Sequence, residues 1–500
     1  MRSTTATISA PTAGWNTRAP LDQMGPEYAI KMINAFPDDG FVRTRKGYIQ
    51  HCAITANTSD VNTLVELPLG NGARRLIACA GTSFYDVSGA SSVALGPTIT
   101  NSTWQHVLIN NKIMFFNGTD SPQMYDGTTW SQPSFSGQTQ TITPSLLIQG
   151  CQYKSRLFVV EKDSAYVWNS NTSAFQGQMH RIDYSYLLQR GGTVQFVASW
   201  SRDTGLGLSD YFVIVSSEGE ILLYSGSNPE DATNWSIAGR FFLPEPVAGR
   251  RAYLGLGSDL LIIHKAGITP LSALLAGGNS STYASITANI NQAFLAAAQD
   301  YGGSDGWCAA YHSGGKAVYF NIPIPNVSQQ FILNPDRGAW AQYTGMQAKV
   351  WSTFGDGVYF GGTNGRIFKA ETGSLDNGAP IRSEVHIAYN YFKDRARIKR
   401  FTMIRPHVKS APGETFSIGI DVDFQEAIFT YTTQNNEVTF DWNTGLWNQA
   451  LWSAPKIRGE DVYSLTAFGR AASISFAFES TTGPYEFYAA AITYETGGLL

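Results

Sequence analysis

A short hairpin unit recurs along this chain and restricts what it can fold into. In each copy, a strand of β-branched or aromatic residues leads into a Gly-, Asn- or Asp-containing turn, and a second strand ends in an aromatic residue. Three clear copies end at Tyr85, Tyr125 and Tyr224. A single hairpin cannot bury its apolar face alone, so the copies must pack against one another. The repeat therefore predicts an all-β assembly of hairpins.

The hairpins follow one another at a spacing typical of propeller blades. Four-stranded blades repeat every ~40–45 residues, and most neighbouring hairpins here keep that spacing. Counting them predicts an irregular β-propeller of six to eight blades, and seven is the number counted. A sandwich of successive hairpins is the structural alternative. The seven units lie at residues 75–85, 112–125, 156–168, 211–224, 260–271, 317–333 and 357–369.

The two flanks of this repeat differ from it, which predicts three parts: an arm (1–50), the propeller (51–375) and a C-terminal β-sandwich-like domain (376–500). In the arm, Gly25 and Pro26 are expected to open a short helix. Its apolar face would follow helical spacing and contain Ala29, Met32, Ile33 and Phe36. One longer helix, residues 281–301, is predicted as an insertion that packs beside a blade, with a partner-binding helix as the alternative. Its apolar stripe contains Ile286, Ile290, Phe294, Ala298 and Tyr301.

Composition limits the chemistry. The 49 glycines, 24 tyrosines and 28 phenylalanines suit strands and tight turns. A net charge of −4 argues against general nucleic-acid binding, although a channel that must not grip DNA need not be basic. The four cysteines and seven histidines show no metal-ligand spacing, so we predict no metal or cofactor. The sequence also shows no secretory leader and no membrane span.

Two motifs that resemble catalytic signatures lack the structural context those signatures need. Gly302–Gly306 matches G-x-S-x-G, but a nucleophile elbow joins a strand to a following helix, and here the predicted helix comes first. The Gly-Gly turn before Lys316 is followed by Ala317, where a P-loop has Ser or Thr. The sequence therefore predicts a protein that is not an enzyme.

The basic residues form the main charge feature. A segment from Lys393 to Arg400 carries most of them, and further basic positions stand at Arg43, Arg45, Lys46, Arg250 and Arg251. Such residues suit contacts with DNA phosphates or with an acidic neighbouring subunit. A solvated surface explains them equally well.

Several stretches resemble the β-propeller tail nozzle, or tail hub (tail tubular B-type), proteins of short-tailed phages, a group that includes packaged-DNA stabilisation proteins. The stretches that carry the resemblance are Gly14–Leu21 (GWNTRAPL), Met24–Ala29 (MGPEYA), Asn34–Pro37 (NAFP), Arg43–Tyr48 (RTRKGY), Trp104–Val107 (WQHV), Tyr125–Gly127 (YDG), Trp200–Asp203 (WSRD), Ser217–Glu220 (SEGE), Ala232–Trp235 (ATNW), Tyr391–Phe392 (YF) and Lys399–Phe401 (KRF). Ala19 departs from the pattern, because an acidic residue is expected after Arg18, and this puts an ion pair there in doubt.

The resemblance implies a structural virion protein of the phage tail, made in the cytoplasm of the bacterial host. Such a subunit forms a ring, expected to be a hexamer, below the portal and adaptor proteins. Phage DNA passes through the ring without sequence-specific binding, and tail fibres or adhesins attach to it. The inter-subunit contacts lie in a platform built from both chain ends, here residues 1–50 and 376–500.

Assembly contacts are predicted at aromatic and basic positions in these two ends, because such side chains dominate interface hot spots. The arm positions could instead pack only onto their own subunit. Charge reversal at Arg397 and Lys399 is expected to weaken assembly and to leave the propeller intact. The candidates are Trp15, Arg18, Tyr28, Phe36, Arg43, Arg45, Lys46, Arg395, Arg397, Lys399 and Arg400.

The alternative function is a propeller that binds or cleaves glycans on the host surface. It needs arginines, tyrosines and carboxylates gathered at one end of the propeller axis. Arg181, Tyr184 and Arg202 are the residues that the sequence offers for this role.

Overall fold

The computed structural model describes residues 3–203, 208–231, 233–277, 285–325, 327, 329–410, 414–425, 431–434, 457–458, 462–481 and 483–497. Strands dominate this part of the chain, so the predicted all-β class is confirmed. Six strands precede the first complete blade: β1 (Ser3–Ser9), β2 (Gly14–Trp15), β3 (Tyr28–Ile33), β4 (Ala35–Pro37), β5 (Val42–Thr44) and β6 (Tyr48–Ala53).

The helix predicted after Pro26 is wrong, because strands β3 and β4 occupy that segment. A register shift interrupts the pairing of β3 between Ala29 and Lys31. Such a bulge breaks the two-residue alternation of a strand. It places buried Ala29 and buried Met32 three residues apart, as on a helix face.

The first four blades are sheets whose strands pair in chain order. In blade 3 an extra short strand joins the outer edge in parallel. Blade 1 contains β7 (Val61–Pro68), β8 (Arg74–Ala80), β9 (Ser83–Asp86) and β10 (Val93–Leu95); blade 2, β11 (Gln105–Ile109), β12 (Lys112–Phe116), β13 (Gln123–Tyr125) and β14 (Trp130–Ser131); blade 3, β15 (Phe135–Gly137), β16 (Leu147–Tyr153), β17 (Arg156–Glu161), β18 (Tyr166–Ser170) and β19 (Gly177–Asp183); blade 4, β20 (Val194–Asp203), β21 (Leu208–Ser216), β22 (Glu220–Ser225) and β23 (Ser236–Phe242).

The last three blades complete the predicted set of seven. Two helices, α1 (Leu271–Gly277) and α2 (Asn291–Tyr301), separate blade 5 from blade 6. Blade 5 contains β24 (Tyr253–Leu256), β25 (Asp259–His264) and β26 (Gly267–Pro270); blade 6, β27 (Cys308–His312), β28 (Ala317–Ile322), β29 (Gln329–Asn334) and β30 (Ala339–Thr344); blade 7, β31 (Val350–Phe354), β32 (Gly357–Gly361) and β33 (Arg366–Ala370), with β6 as its outer strand.

Helix α2 is the inserted helix, but it is shorter than predicted. It begins at Asn291, after a single 3-10 turn, and residues 281–284 lie outside the described residues. Phe294 and Ala298 face the core as the apolar stripe predicts. The Phe294 ring lies 6.3 Å from Phe331 of blade 6, so the helix packs beside a blade.

The arm closes the propeller ring. Strand β6 pairs with β33 and so becomes the outer strand of blade 7, and the chain then enters β7 of blade 1. Side chains of Cys52, Leu64 and Val350 meet in one apolar core between these two blades. Residues from the first strands of blades 1, 2, 5, 6 and 7 line a cavity of about 550 Å³ on the axis.

Both chain ends form the platform, which here means strands β1–β5 with the nine strands after blade 7. Strand β1 pairs over the whole of its own length with the last strand of the chain. Two sheets of the platform face each other, and the Phe476 and Phe487 rings lie 4.1 Å apart between them. The nine strands are β34 (Leu375–Asp376), β35 (Ala379–Ile387), β36 (Lys399–Ser410), β37 (Thr415–Val422), β38 (Tyr431–Gln434), β39 (Ile457–Arg458), β40 (Tyr463–Gly469), β41 (Ala472–Ser480) and β42 (Tyr485–Thr496).

The platform and the propeller share a continuous sheet. The outer strand of blade 6, β30, pairs with β2 and β3. Strand β3 also pairs with β35, on its other edge. On the other side, β34 pairs with both β35 and β6 of blade 7. Backbone hydrogen bonds therefore join blades 6 and 7 to the platform, so the sheet has no break at this boundary.

Candidate assembly surface

Arg45 lies at the centre of the junction between propeller and platform, and its side chain has no exposed surface. The guanidinium binds Asp376 of β34 in a bidentate pair, at 2.7 and 2.5 Å. It also donates to the Thr344 carbonyl at the end of blade 6. Because every direction around this cation is occupied by its own chain, the Arg45 side chain is not available as a surface contact.

Asn34 completes this junction. Its backbone has φ of 52°, in the left-handed region that asparagine tolerates better than most residues. Its Oδ1 accepts from Arg45 Nε at 2.9 Å and from the Thr344 amide at 2.9 Å, and its Nδ2 donates to the Arg382 carbonyl at 3.0 Å. One side chain thus connects the arm, blade 6 and β35. We call Asn34, Arg45, Thr344 and Asp376 the junction cluster.

Lys399 is also buried, although the sequence places it in a basic surface segment. Its Nζ donates to three backbone carbonyls, those of Asp394, Arg397 and Arg470. Burial lowers the pKa of this ammonium group. We therefore revise the expectation for charge reversal here, because a carboxylate facing three carbonyls would disturb the platform itself.

The aromatic candidates of the arm pack mainly on their own subunit. Trp15 is 8% exposed, donates from Nε1 to the Ile30 carbonyl and meets Phe331 of blade 6 edge-on at 5.5 Å. Phe36 is buried, and the Arg43 guanidinium covers its ring at 4.6 Å. Tyr28 is half-buried in β3. The contacts of Trp15 and Phe36 support the alternative that these arm residues pack onto their own subunit.

Five basic candidates do reach the surface. Arg18 and Lys46 are exposed on the arm. The other three, which we call the platform arginines, are Arg395, Arg397 and Arg400.

The platform arginines keep much of their charge exposed. Arg397 lies 3.6 Å from Asp394, and half of its side chain is exposed. Arg400 lies 4.0 Å from Glu495 and is similarly exposed. Arg395 stacks on Tyr391 and donates to the Asp22 carbonyl of the arm. These pairs are solvated, so they contribute little to the fold and leave the guanidinium groups able to bind a partner.

Two apolar side chains beside these arginines were missed by the sequence reasoning. Phe468 on β40 is 61% exposed and lies directly across from Arg400 in the strand pairing. Met403, on the same strand as Arg400, is 43% exposed. Exposed aromatic and Met side chains next to Arg match the composition of interface hot spots. Alternation along β40 could have indicated an outward Phe468, but the sequence does not show which face meets solvent.

Arg250 and Arg251 do not join the platform arginines. Both lie on the propeller axis, in the segment that enters blade 5. The three residues considered for glycan binding are not gathered at that site either. Arg181 stacks on Tyr166 in the outer part of blade 3, Tyr184 is buried, and the side chain of Arg202 lies outside the described residues.

Within the described ranges, no group of three or more His, Cys, Asp or Glu side chains is placed to hold a metal ion. The helices of this part of the chain include none that is long and apolar enough to cross a membrane.

No family model matches this sequence, and no curated protein matches it. Solved structures with partial likeness include YCF48 bound to D1 peptide, at 13% identity over 68% of this chain and 98% of that one, with a TM-score of 0.36. A second is the extracellular domain of a putative hybrid two component system from B. thetaiotaomicron, at 11% identity over 74% and 45%, with a TM-score of 0.44. A third is BBS1N in complex with ARL6DN, at 9% identity over 65% and 97%, with a TM-score of 0.42. Values this low carry no argument about function.

Proposed function

We propose that this chain is the nozzle, or hub, subunit of a short phage tail: a non-enzymatic virion protein that forms a closed ring. The ring, expected to be a hexamer, continues the DNA ejection channel below the portal and adaptor and supports tail fibres or adhesins. The resemblance of the arm sequence to such proteins is the origin of this proposal.

One structural observation supports it most. Both chain ends build one platform, and that platform continues the sheets of blades 6 and 7 through backbone hydrogen bonds. A subunit built in this way transmits force without a flexible linker, as a tail component must. A net charge of −4 is compatible with a passage that does not retain DNA.

The platform arginines, with Phe468 and Met403, are the proposed contact with a neighbouring subunit or with the adaptor. Arginines that carry only solvated ion pairs lose little when they exchange them for an acidic partner surface. The exposed apolar pair supplies the area that such a contact would bury.

Self-association of the purified full-length chain tests the proposal. Native mass spectrometry and negative-stain imaging are expected to show a closed ring, alone or after addition of the adaptor protein. The double substitution Arg397→Glu and Arg400→Glu is expected to reduce ring formation by an order of magnitude or more.

Arg366→Glu is the matched control, because Arg366 is an exposed arginine of blade 7 whose side chain has no partner among the described residues. It should assemble like the unmodified chain. A chain that stays monomeric with and without the adaptor, or that releases sugar from host envelope, would overturn the proposal. So would normal assembly of the double variant, which would make the platform arginines a solvated surface.

A further inference from the structure

One end of the propeller axis holds a polar cleft of about 380 Å³, built by loops of blades 2 to 6. A concave site of this size on a rigid fold is typical of small-ligand binding. Its charged lining consists of Lys162, Arg250, Arg251 and Asp305. We call this site the axial cleft.

Arg251 crosses the axis to reach the opposite blades. From the start of blade 5, its Nη1 donates to the Asn62 carbonyl at 2.7 Å, and its Nη2 donates to the Trp104 carbonyl at 2.6 Å. These acceptors belong to the segments that enter blades 1 and 2. The guanidinium is therefore fixed in place, and its charge stands at the inner end of the axial cleft.

The cleft holds more positive than negative charge, and its closest ion pair is long. Arg251 is held by carbonyls and a hydroxyl, and Arg250 by the Gln195 carbonyl at 2.8 Å. Asp163 lies 4.0 Å from Arg250, and Asp305 forms no ion pair within the described ranges. Lys162 has no side-chain partner there either. Three cations thus face one lining carboxylate, in a protein whose overall charge is negative.

The same cleft offers neutral hydrogen-bonding groups that the described chain leaves unused. Gln105 and Gln195 line it, and their side-chain amides have no partner among the described residues. Amides can both donate to and accept from a hydroxyl group. The opposite end of the axis differs, because apolar side chains such as Leu64, Leu254 and Trp351 line the cavity there.

We propose that the axial cleft binds a carboxylate-bearing sugar. Its carboxylate lies against Arg250, Arg251 and Lys162, and its hydroxyl groups bind the amides of Gln105 and Gln195. A bare oxyanion could accept from the amide nitrogens but would leave the amide oxygens without a donor, and a neutral sugar would leave the cations unpaired. This inference does not depend on whether the chain forms a ring.

Titration of the full-length chain with D-glucuronate tests the inference, with D-glucose as the matched neutral sugar and inorganic phosphate as the bare anion. Ligand-observed NMR or calorimetry is expected to show saturable binding of glucuronate, at least about tenfold tighter than that of glucose. Phosphate at the same concentration is expected not to displace it. Equal binding of glucose, displacement by phosphate, or absence of glucuronate binding at millimolar concentration would overturn the proposal.

Lys162→Met is the first variant, because its side chain supports no contact of the described fold. It is expected to weaken glucuronate binding about tenfold, while Lys112→Met, an exposed lysine outside the cleft in blade 2, leaves the affinity unchanged. Gln105→Ala is a second variant that removes a hydroxyl contact and is expected to weaken binding several-fold. Equal affinities of the Lys162 and Lys112 variants, at matched thermal stability, would assign the binding to another site.

Discussion

Blades 1 to 5 and blades 6 and 7 are stabilised in different ways. On the first side, each apolar core lies between two neighbouring blades: blades 1 and 2, 2 and 3, 3 and 4, and 4 and 5 each share one. On the second side, blade 7 shares a separate core with blade 1, but the other cores merge with that of the platform. Trp15 of the arm, Phe294 of α2, Phe331 of blade 6 and Phe476 of the platform all belong to one cluster.

We call blades 1 to 5 the modular half of the molecule, and blades 6 and 7 with the platform the fused half. In the modular half, each apolar core joins blades that follow one another in the chain, as in other repeat architectures. In the fused half, strands from both chain ends must meet blade 6 before the core is complete. The most deeply buried ion pair of the described chain, Arg45 with Asp376, lies in the fused half.

Substitution of Arg45 by Met tests the fused half and has the largest expected effect. It leaves Asp376 nearly buried without its partner, which should cost about 3–5 kcal/mol of unfolding free energy. Urea denaturation measures this loss, and limited proteolysis should find the platform cleaved before the blades. Lys46→Met, at the exposed neighbouring position, should be neutral, and equal midpoints for the two variants would contradict the role of the junction cluster.

Substitution of Trp235 by Ala tests the modular half. The Trp235 ring stacks on Phe158 of blade 3 and on Tyr224 of its own blade, at 5.9 and 5.1 Å. Its loss should cost about 2–4 kcal/mol, because the ring is large but only partly buried. Here proteolysis should begin in blades 3 and 4, and cleavage that begins in the platform would show that the two halves are not independent.

The sequence predicted the modular half well because its information is local. All seven hairpins occur where the repeat places them, since each depends on one turn and two adjacent strands. A further local signal was available: Asp126–Trp130 and Asp231–Trp235 share the pattern D-x-T-x-W at the last turn of blades 2 and 4. In both turns the aspartate binds the Thr two residues later, and the Trp packs against the preceding blade.

The sequence did not predict the fused half, because partners distant in the chain decide it. The bulge in β3 imitates helical spacing. Arg45 was predicted to be an assembly contact, but β5 ends at Thr44, so strand alternation does not set the direction of its side chain. Lys399 begins β36 and turns inward to carbonyls from two separate segments. The axial cleft is built from five blades, so no single stretch of sequence encodes it.

Substitution of Lys399 by Met distinguishes a buried cation of the platform from a surface charge. Three carbonyls would lose their donor, which should cost about 1–3 kcal/mol, whereas Arg397→Met at an exposed position should change stability by less than about 0.5 kcal/mol. Urea denaturation of both variants checks this. If the two substitutions are equally mild, Lys399 contributes no more than the solvated arginines around it.

Acid should weaken blade 5 at a higher pH than the platform. His264 is buried, with Nε2 2.8 Å from Thr269 Oγ1, and burial lowers its pKa to about 4. The unfolded chain therefore takes up the proton first, and stability should fall by about 1–2 kcal/mol as the pH decreases from about 6.5 towards 4. His264→Gln should reduce the dependence of the urea midpoint on pH over this range, and an unchanged slope would exclude this histidine as a cause.

Glu384 should extend the comparison to lower pH with the smallest effect. Hydrogen bonds from His386 and Lys31 hold the pKa of Glu384 at about 2, below its ordinary value. Its contribution is complete above about pH 4.5 and is lost as the pH falls towards 2; because the pair is partly solvated, we expect about 1 kcal/mol. Glu384→Gln should remove this dependence between pH 4.5 and 2 while the change near blade 5 remains. An unchanged slope between pH 4.5 and 2 in Glu384→Gln would exclude this carboxylate as the cause.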